Sequence, residues 1–491
     1  MKNNICKQLS FSDCELVILR SAVDKAEKKR GSKIVNSNEI KAMIDIVERF
    51  IRDKKLICYG GTAINNILPK KDQFYNKDEE IPDYDFFSYN ALADTKQLCD
   101  IFYKNGFVEV EGKAGQHHGT YKVFVNFIPI ADITYMHKEL FNVLKKDSIK
   151  VAGILYPSAN YLRMSMYSEL SRPDGDISRW EKVLKRLSLL NNNYPLISNN
   201  CGSDIFQRQM ENMENSSEIY TNVKQTLIDQ DVVFFGGYAL SLYSKYMPHH
   251  HKGQLSKIPD FDVISENPPM LAEIIKEKLE NIGIKHVKII KHPPVGEIIL
   301  ESYEITIRHD GLFDSIVFIY KPIACHSYNT IKDDGNVLKV ATIDTMLGFY
   351  LAFLYANRKY YNNDRIMCMA TFLFQVQQQN RLEQKGVLKR FSINCIGHQE
   401  TVEEMRAHKS EKYQELKNKH NSKEYDEWFL RYRPYENDTK QPEKGKQKRT
   451  KTLKKNKDNK DYKNNKMDKE HSINSRKKRK GTKKIMDYFK M

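Results

Sequence analysis

One pattern of residues occurs twice in this 491-residue chain, about 175 positions apart, and this restricts the fold more than any other feature. LICYGGTAINNILPK is answered by VVFFGGYALSLYSKYMP, and IPDYDFFS by IPDFDVIS. The spacing is nearly kept, with 22 residues from Gly61 to Asp83 and 23 from Gly237 to Asp260. A third pair matches FIPIADITYM with IYKPIACHSYN, and a helix-loop-helix rhythm follows each copy. A duplicated apolar strand, glycine turn, helix and alternating strand predicts two copies of one supersecondary unit. The expected class is α/β (α+β), with two units of mixed sheet and flanking helices, the second degenerate.

The expected boundaries are an N-terminal helical segment over 1–50, the first unit with its following helices over 51–200, and the second unit over 201–400. A charged helical segment over 401–434 and a basic tail over 435–491 complete the chain. In the first segment, Ser10 or Ser12 is suited to cap a helix whose apolar spacing marks it as a packing element.

Charge separates body from tail. From Lys440 to Met491 there are 21 basic and 6 acidic side chains, leaving 59 against 57 in the rest. The net charge of +17 therefore describes a basic tail on a nearly neutral body. The tail has almost no apolar spacing and is expected to be disordered when unbound. The eight cysteines are scattered without a C-x-x-C pair, and MKNNICKQLS has no signal-peptide pattern, so reduced thiols in a soluble intracellular protein are expected. No apolar run reaches the roughly 18 residues of a membrane span, so no membrane association is expected.

In D-Y-D, the period-2 geometry of a strand sends Asp83 and Asp85 to one face, where both can hold a pair of metal ions. Asp132 lies in an apolar strand, where an isolated carboxylate is costly without a cation. Gly60 and Gly61 begin a helix, where free N–H groups and close backbone approach favour phosphate, and Thr62 adds a hydroxyl. Carboxylates for two divalent ions beside a triphosphate-binding turn are the parts of nucleotidyl transfer.

G-G-[ST], then D-x-D about twenty residues on, then a third strand-borne Asp resembles the DNA polymerase β-like nucleotidyltransferase superfamily. More closely, YGGTAINNILP, IPDYDFFS, HHGTYKVFVNFIPIADITYM and RWEKVLKRL resemble the poly(A) polymerase catalytic subunits of nucleocytoplasmic large DNA viruses, the giant amoebal viruses above all and poxviruses more remotely. The resemblance spans roughly residues 50 to 375. It implies ATP as donor, an RNA 3′-hydroxyl as acceptor and two Mg²⁺ or Mn²⁺ ions held by Asp83, Asp85 and Asp132. Gly60, Gly61 and Thr62 then form the triphosphate loop. A homodimer in the host cytoplasm, packaged in the virion, is the matching expectation.

In the second copy Tyr238 stands where Thr62 stood. If PIAC is matched to PIAD, Cys325 stands where Asp132 stood, and a neutral thiol is no ligand for Mg²⁺. A structural or RNA-cradling role follows, with residual metal binding by Asp260 and Asp262 as the alternative. In RWEKVLKRL, Lys182, Lys185 and Arg186 share a helix face; Lys182 is the chosen γ-phosphate candidate, with Arg163 as another. Tyr161 and Tyr167 are candidates to stack on adenine, with core packing as their commoner fate. His117, His118 and the run His249 to His251 read as solvated loop histidines. The RKKRK run at 476–480 suits contact with an RNA backbone, and Ile485, Tyr488 and Phe489 are spaced as in a sliding-clamp peptide. Rival functions are a uridylyl or CCA-type terminal transferase, an inactive RNA-binding scaffold, and an oligonucleotide synthase.

Overall fold

The helix Asn38–Lys54 shows how local sequence sets the frame. Ser37 caps it by accepting from Ile40 N, and apolar residues at helical spacing bury Ile40, Met43, Ile46, Val47, Phe50 and Ile51. Lys55, at φ 53°, ends it and turns the chain into the first strand. The preceding helix, Phe11–Val35, has Ser10 at its start accepting from Asp13 N, yet it leaves Phe11, Leu16, Ile18 and Leu19 exposed. The expected packing role therefore falls to the second helix.

The computed structural model describes residues 6 and 9–438 apart from 77, 80, 199–200, 203–214, 248–257, 297, 310–311, 359 and 381–382. His249–His251, the RKKRK run and Ile485, Tyr488 and Phe489 lie outside the described residues, as does most of the expected tail. At the start of that tail, Pro434–Asp438 is helical.

Seven strands come from the first copy: β1 (Ile57–Tyr59), β2 (Tyr84–Ser88), β3 (Val110–Ala114), β4 (Thr120–Val125), β5 (Ile128–Tyr135), β6 (Ile149–Val151) and β7 (Ile154–Tyr156). Seven more come from the second: β8 (Val233–Phe234), β9 (Phe261–Ile264), β10 (Lys288–His292), β11 (Ser302–His309), β12 (Leu312–Tyr320), β13 (His326–Asp333) and β14 (Asn336–Ala341). Two short strands follow, β15 (Cys395–Ile396) and β16 (Arg431–Tyr432).

The first sheet runs β16-β3-β4-β5-β2-β1-β7-β6 and the second β10-β11-β12-β9-β8-β14-β13-β15. Without β16 and β15, the two orders correspond strand for strand. The directions agree as well: β2 with β5 and β9 with β12 are parallel, as are β1 with β7 and β8 with β14, and the other matched pairs are antiparallel. The repeated sequence is thus a repeated mixed sheet.

The helices that follow each sheet, Ala159–Leu170 and Ile343–Phe353, pack against each other. Gly348 permits the approach, since a Cβ there would lie 3.1 Å from Ser168 Oγ. Ser158 Oγ and Tyr355 Oη are 2.8 Å apart across this contact, and Tyr167 Oη donates to Gln377 Oε1 at 3.0 Å.

Residues after 400 return to the first sheet. Thr401 and Glu404 form a capping box for the helix Val402–Leu416; the helix Lys423–Phe429 and β16 follow. β16 covers the edge of β3, Leu430 is buried, and Tyr432 Oη donates to Asp100 at 2.7 Å.

The cysteine expectation is corrected. Cys6–Cys14, Cys201–Cys368 and Cys325–Cys395 are disulfide-bonded, and Cys58 and Cys99 are free and buried. Two of these pairs join residues 167 and 70 positions apart, a proximity created by folding and absent from local spacing.

Candidate active site

Strand register builds the centre of the site. Tyr59 pairs with Asp85 across β1 and β2, and Asp85 pairs with Asp132 across β2 and β5. Directly paired residues share a face, so Asp85 and Asp132 lie side by side, with the exposed Asp83 two positions before Asp85. The intervening Tyr84 points into the core, where its hydroxyl donates to Glu48 at 2.6 Å.

Gly60 has φ +71°, and a Cβ there would come within 2.7 Å of Asp85 Oδ2. Both facts favour glycine. The Thr62 hydroxyl donates to the Asp83 main-chain oxygen at 2.6 Å. Thr62 therefore ties the glycine turn to the acid-bearing strand.

Beside Gly61 stand Tyr75 and Arg186. Asn65 Oδ1 accepts from Phe74 N and Tyr75 N, both at 2.8 Å, and Arg186 Nη2 donates to Tyr75 Oη at 2.6 Å. Arg186 also lies over the Phe74 and Tyr75 rings, 4.8 and 5.5 Å from their centres. Lys182 is exposed on the same helix, Trp180–Asn193, and Lys185 pairs with Glu181 at 2.5 Å. The cation at the glycine turn is thus Arg186, which falls among the buried Val183, Leu187 and Leu190 of its helix; that spacing was the sequence signal for it. Arg163 is buried and donates to Asn160, Asn191 and the Tyr194 carbonyl, which corrects its reading as a phosphate contact. Tyr161 and Tyr167 are core residues. A cavity of about 60 Å³ beside Asp83 is lined by Thr62, Asn65, Asn66, Tyr75, Ile81 and Pro82.

Burial, then the charges of Asp83 and Asp132, push the Asp85 carboxyl up to about 7, against relief from Lys122 and Arg179. Burial also raises the Asp132 carboxyl from its ordinary value although Lys122 pairs with it. Crowded carboxylate oxygens that resist ionisation suit a hard divalent cation, which would supply the missing positive charge.

In the second sheet, Gly236 follows Phe235 as Gly60 follows Tyr59, and Asp262 holds the place of Asp85. The residue paired with Asp262 across β9 and β12 is Phe318. The match of Cys325 to Asp132 is therefore corrected: the equivalent position lies seven residues earlier, because PIAC follows the end of β12 whereas PIAD lies inside β5. Asp260 and Asp262 are buried to 2% and 9% exposure, so this counterpart is closed where the first is open.

His117 is exposed, and the His118 ring packs 4.2 Å from that of Trp428. Among the described residues, Asp174, Cys325 and Cys395 bring potential ligand atoms within 4.8 Å of one another, but the two cysteines are bonded to each other. Also among the described residues, no helix is long and apolar enough to cross a membrane.

Residues 45–176 match the family model described as poly(A) polymerase catalytic subunit. The chain is 33% identical over 183 residues to the "Putative poly(A) polymerase catalytic subunit" of Acanthamoeba polyphaga mimivirus, covering 36% of this chain and 30% of that protein. It is 34% identical over 167 residues to the protein of the same name from African swine fever virus (strain Badajoz 1971 Vero-adapted), covering 33% and 35%. The matched segment thus spans about a third of these curated relatives. The crystal structure of the Megavirus polyadenylate synthase matches with a TM-score of 0.72 and 22% identity, over 90% of this chain and 89% of that one. Residues 45–176, which carry Gly60, Asp83, Asp85 and Asp132, thus match the poly(A) polymerase catalytic subunit family, in a chain that shares the fold of a viral polyadenylate synthase.

Proposed function

We propose that the chain is a template-independent poly(A) polymerase that adds AMP from ATP to RNA 3′ ends, with its reaction centre in the first unit. The observation that carries this reading is the pairing of Asp85 with Asp132 beside Gly60, whose backbone conformation favours glycine. Asp83 and Asp85 would hold two Mg²⁺ or Mn²⁺ ions, and Asp132 would complete the site on the acceptor side. Bound there, the ions would supply the charge that lowers the barrier to attack and stabilises pyrophosphate.

The 3′-oxygen forms a bond to the α-phosphorus of ATP as the α–β bridging P–O bond breaks. Pyrophosphate leaves, and the hydroxyl proton passes to solvent. The helix Gly60–Ile67 presents its N-terminal N–H groups to the triphosphate, and Arg186 with Tyr75 closes over the phosphates at Gly61. Thr62 positions Asp83. The second unit, with Phe318 at the third-acid position and a buried acidic pair, serves as a non-catalytic support. A homodimer acting in the host cytoplasm and packaged in the virion completes the proposal.

The test is extension of a labelled RNA with each nucleotide separately in Mg²⁺ or Mn²⁺, comparing the native chain with Asp83→Ala/Asp85→Ala. Long tails from ATP alone, abolished in the variant, are expected. Tails from UTP, or C and CA additions, would replace this reading with another terminal transferase, and no extension under any condition would overturn it.

A further inference from the structure

The row of paired residues that contains Asp85 and Asp132 continues across the first sheet. Asp132 pairs with Lys122 in β4, Lys122 with Lys113 in β3, and Lys113 with Arg431 in β16. All share one face of the sheet, so three cations on successive strands lead to the acids. Their side chains are 43%, 46% and 68% exposed. This face of β4 is open, since Lys122 and Phe124 are half-buried while Tyr121, Val123 and Val125 fill the core.

Glu111, two residues before Lys113, gathers the cations. It accepts from Lys113, from Arg431 at 3.0 Å and from Arg433 at 3.1 Å. Phe124 pairs with Glu111 across β3 and β4, and Lys113 Nζ lies 5.1 Å from the centre of its ring. A half-buried aromatic ring among four cations on an open sheet face is what single-stranded nucleic acid requires: charge for the backbone and a flat surface for a base.

The second sheet is an internal control. There Phe318 pairs with Glu304, and Glu304 with Ile290, so the positions of Lys122 and Lys113 carry an acid and an aliphatic residue. The strand added to that sheet, β15, lies on the opposite edge, so no counterpart of Arg431 exists on β10 among the described residues. The basic row is thus confined to the sheet that carries Asp83, Asp85 and Asp132.

We propose that this face is the track of the RNA acceptor. The last nucleotides lie along Arg431, Lys113 and Lys122 with one base on Phe124, and the 3′ end arrives at Asp132. The inference rests on the proposed function for its direction but not for its measurement. The Lys122 ammonium, which pairs with Asp132 in the absence of RNA, turns to a backbone phosphate when the acceptor binds.

The experiment measures binding of fluorescent oligo(A) RNA to the full chain by anisotropy at several salt concentrations, for the native protein and for Lys113→Gln, Lys122→Gln, Arg431→Gln and Phe124→Ala. Lys291→Gln, on the second sheet, is the control. Each track cation lost should weaken binding roughly 3- to 10-fold and reduce the slope of log affinity against log salt by about 0.7, the value for one single-strand phosphate contact. Phe124→Ala should weaken binding on the order of 10-fold with the slope unchanged. Lys113→Arg should restore both affinity and slope, which a loss of folding would not permit. Unchanged slopes in all three charge variants, or an equal effect of Lys291→Gln, would overturn the proposal. RNA binding needs no turnover, so a chain that binds along the track but adds no nucleotide would sink the polymerase reading alone.

Discussion

The hydroxyl of Thr62 donates a 2.6 Å hydrogen bond to the main-chain carbonyl of Asp83, joining the glycine turn to the strand with the acids. Thr62 is buried, so its loss leaves that carbonyl without its side-chain partner. Thr62→Val should cost about 1–3 kcal/mol of stability, while Thr62→Ser keeps the bond. Thermal unfolding of both, with RNA extension rates, checks this: a Val variant as stable and active as the Ser variant would remove Thr62 from its positioning role.

Gly60 faces a double constraint, a φ of +71° and Asp85 Oδ2 at 2.7 Å from any Cβ. Gly60→Ala should cost about 1–2 kcal/mol through backbone strain. Because it also displaces a carboxylate at the reaction centre, kcat should fall on the order of 100-fold. Steady-state kinetics and denaturant unfolding would separate the two effects.

Arg186 and Lys182 share a helix and differ in where they point. Arg186→Ala should raise the KM for ATP on the order of 10- to 100-fold, the value of a charged hydrogen bond, while Lys182→Ala leaves it unchanged. Equal effects of the two substitutions would show that position on the helix does not matter.

Asp85 yields a pH prediction. Its carboxyl rises from 3.8 to about 7 on folding, with burial the main cause. Between these values the folded chain binds more protons than the unfolded one, so in EDTA stability should fall as pH rises toward about 7. Asp85→Asn should flatten this dependence, and added Mn²⁺ should offset the loss of stability as pH approaches 7 by taking the place of the proton. Melting temperatures across pH, with and without metal, provide the measurement.

The segment after residue 400 closes the first sheet. Deleting residues 401–491 uncovers the β3 edge and the pocket of Leu430, whose burial contributes about 1.5–3 kcal/mol. Deleting only 439–491 removes none of these contacts. The longer deletion should lower the melting temperature and promote aggregation, and the shorter should leave the melting temperature in place.

Much of this was legible in the chain itself. The repeat, the strand alternation in IPDYDFFS and the Gly60–Gly61 turn are local patterns, because strand and helix periods are imposed within a few residues. Asp83, Asp85 and Asp132 could be chosen because carboxylates in apolar strands need a reason to be there. Tertiary structure decided what depended on register and long-range pairing. A four-residue likeness placed Cys325 opposite Asp132, but the pairing of β9 with β12 puts Phe318 there. Lys182 and Arg186 read alike as basic residues, and only the packing of their helix turned Arg186 toward Gly61. The row from Arg431 through Lys113 and Lys122 to Asp132 draws on residues up to 318 positions apart. Such a row exists only once strands pair, because the chain specifies which residues face together on one strand, whereas hydrogen-bonded register specifies which strands bring them side by side.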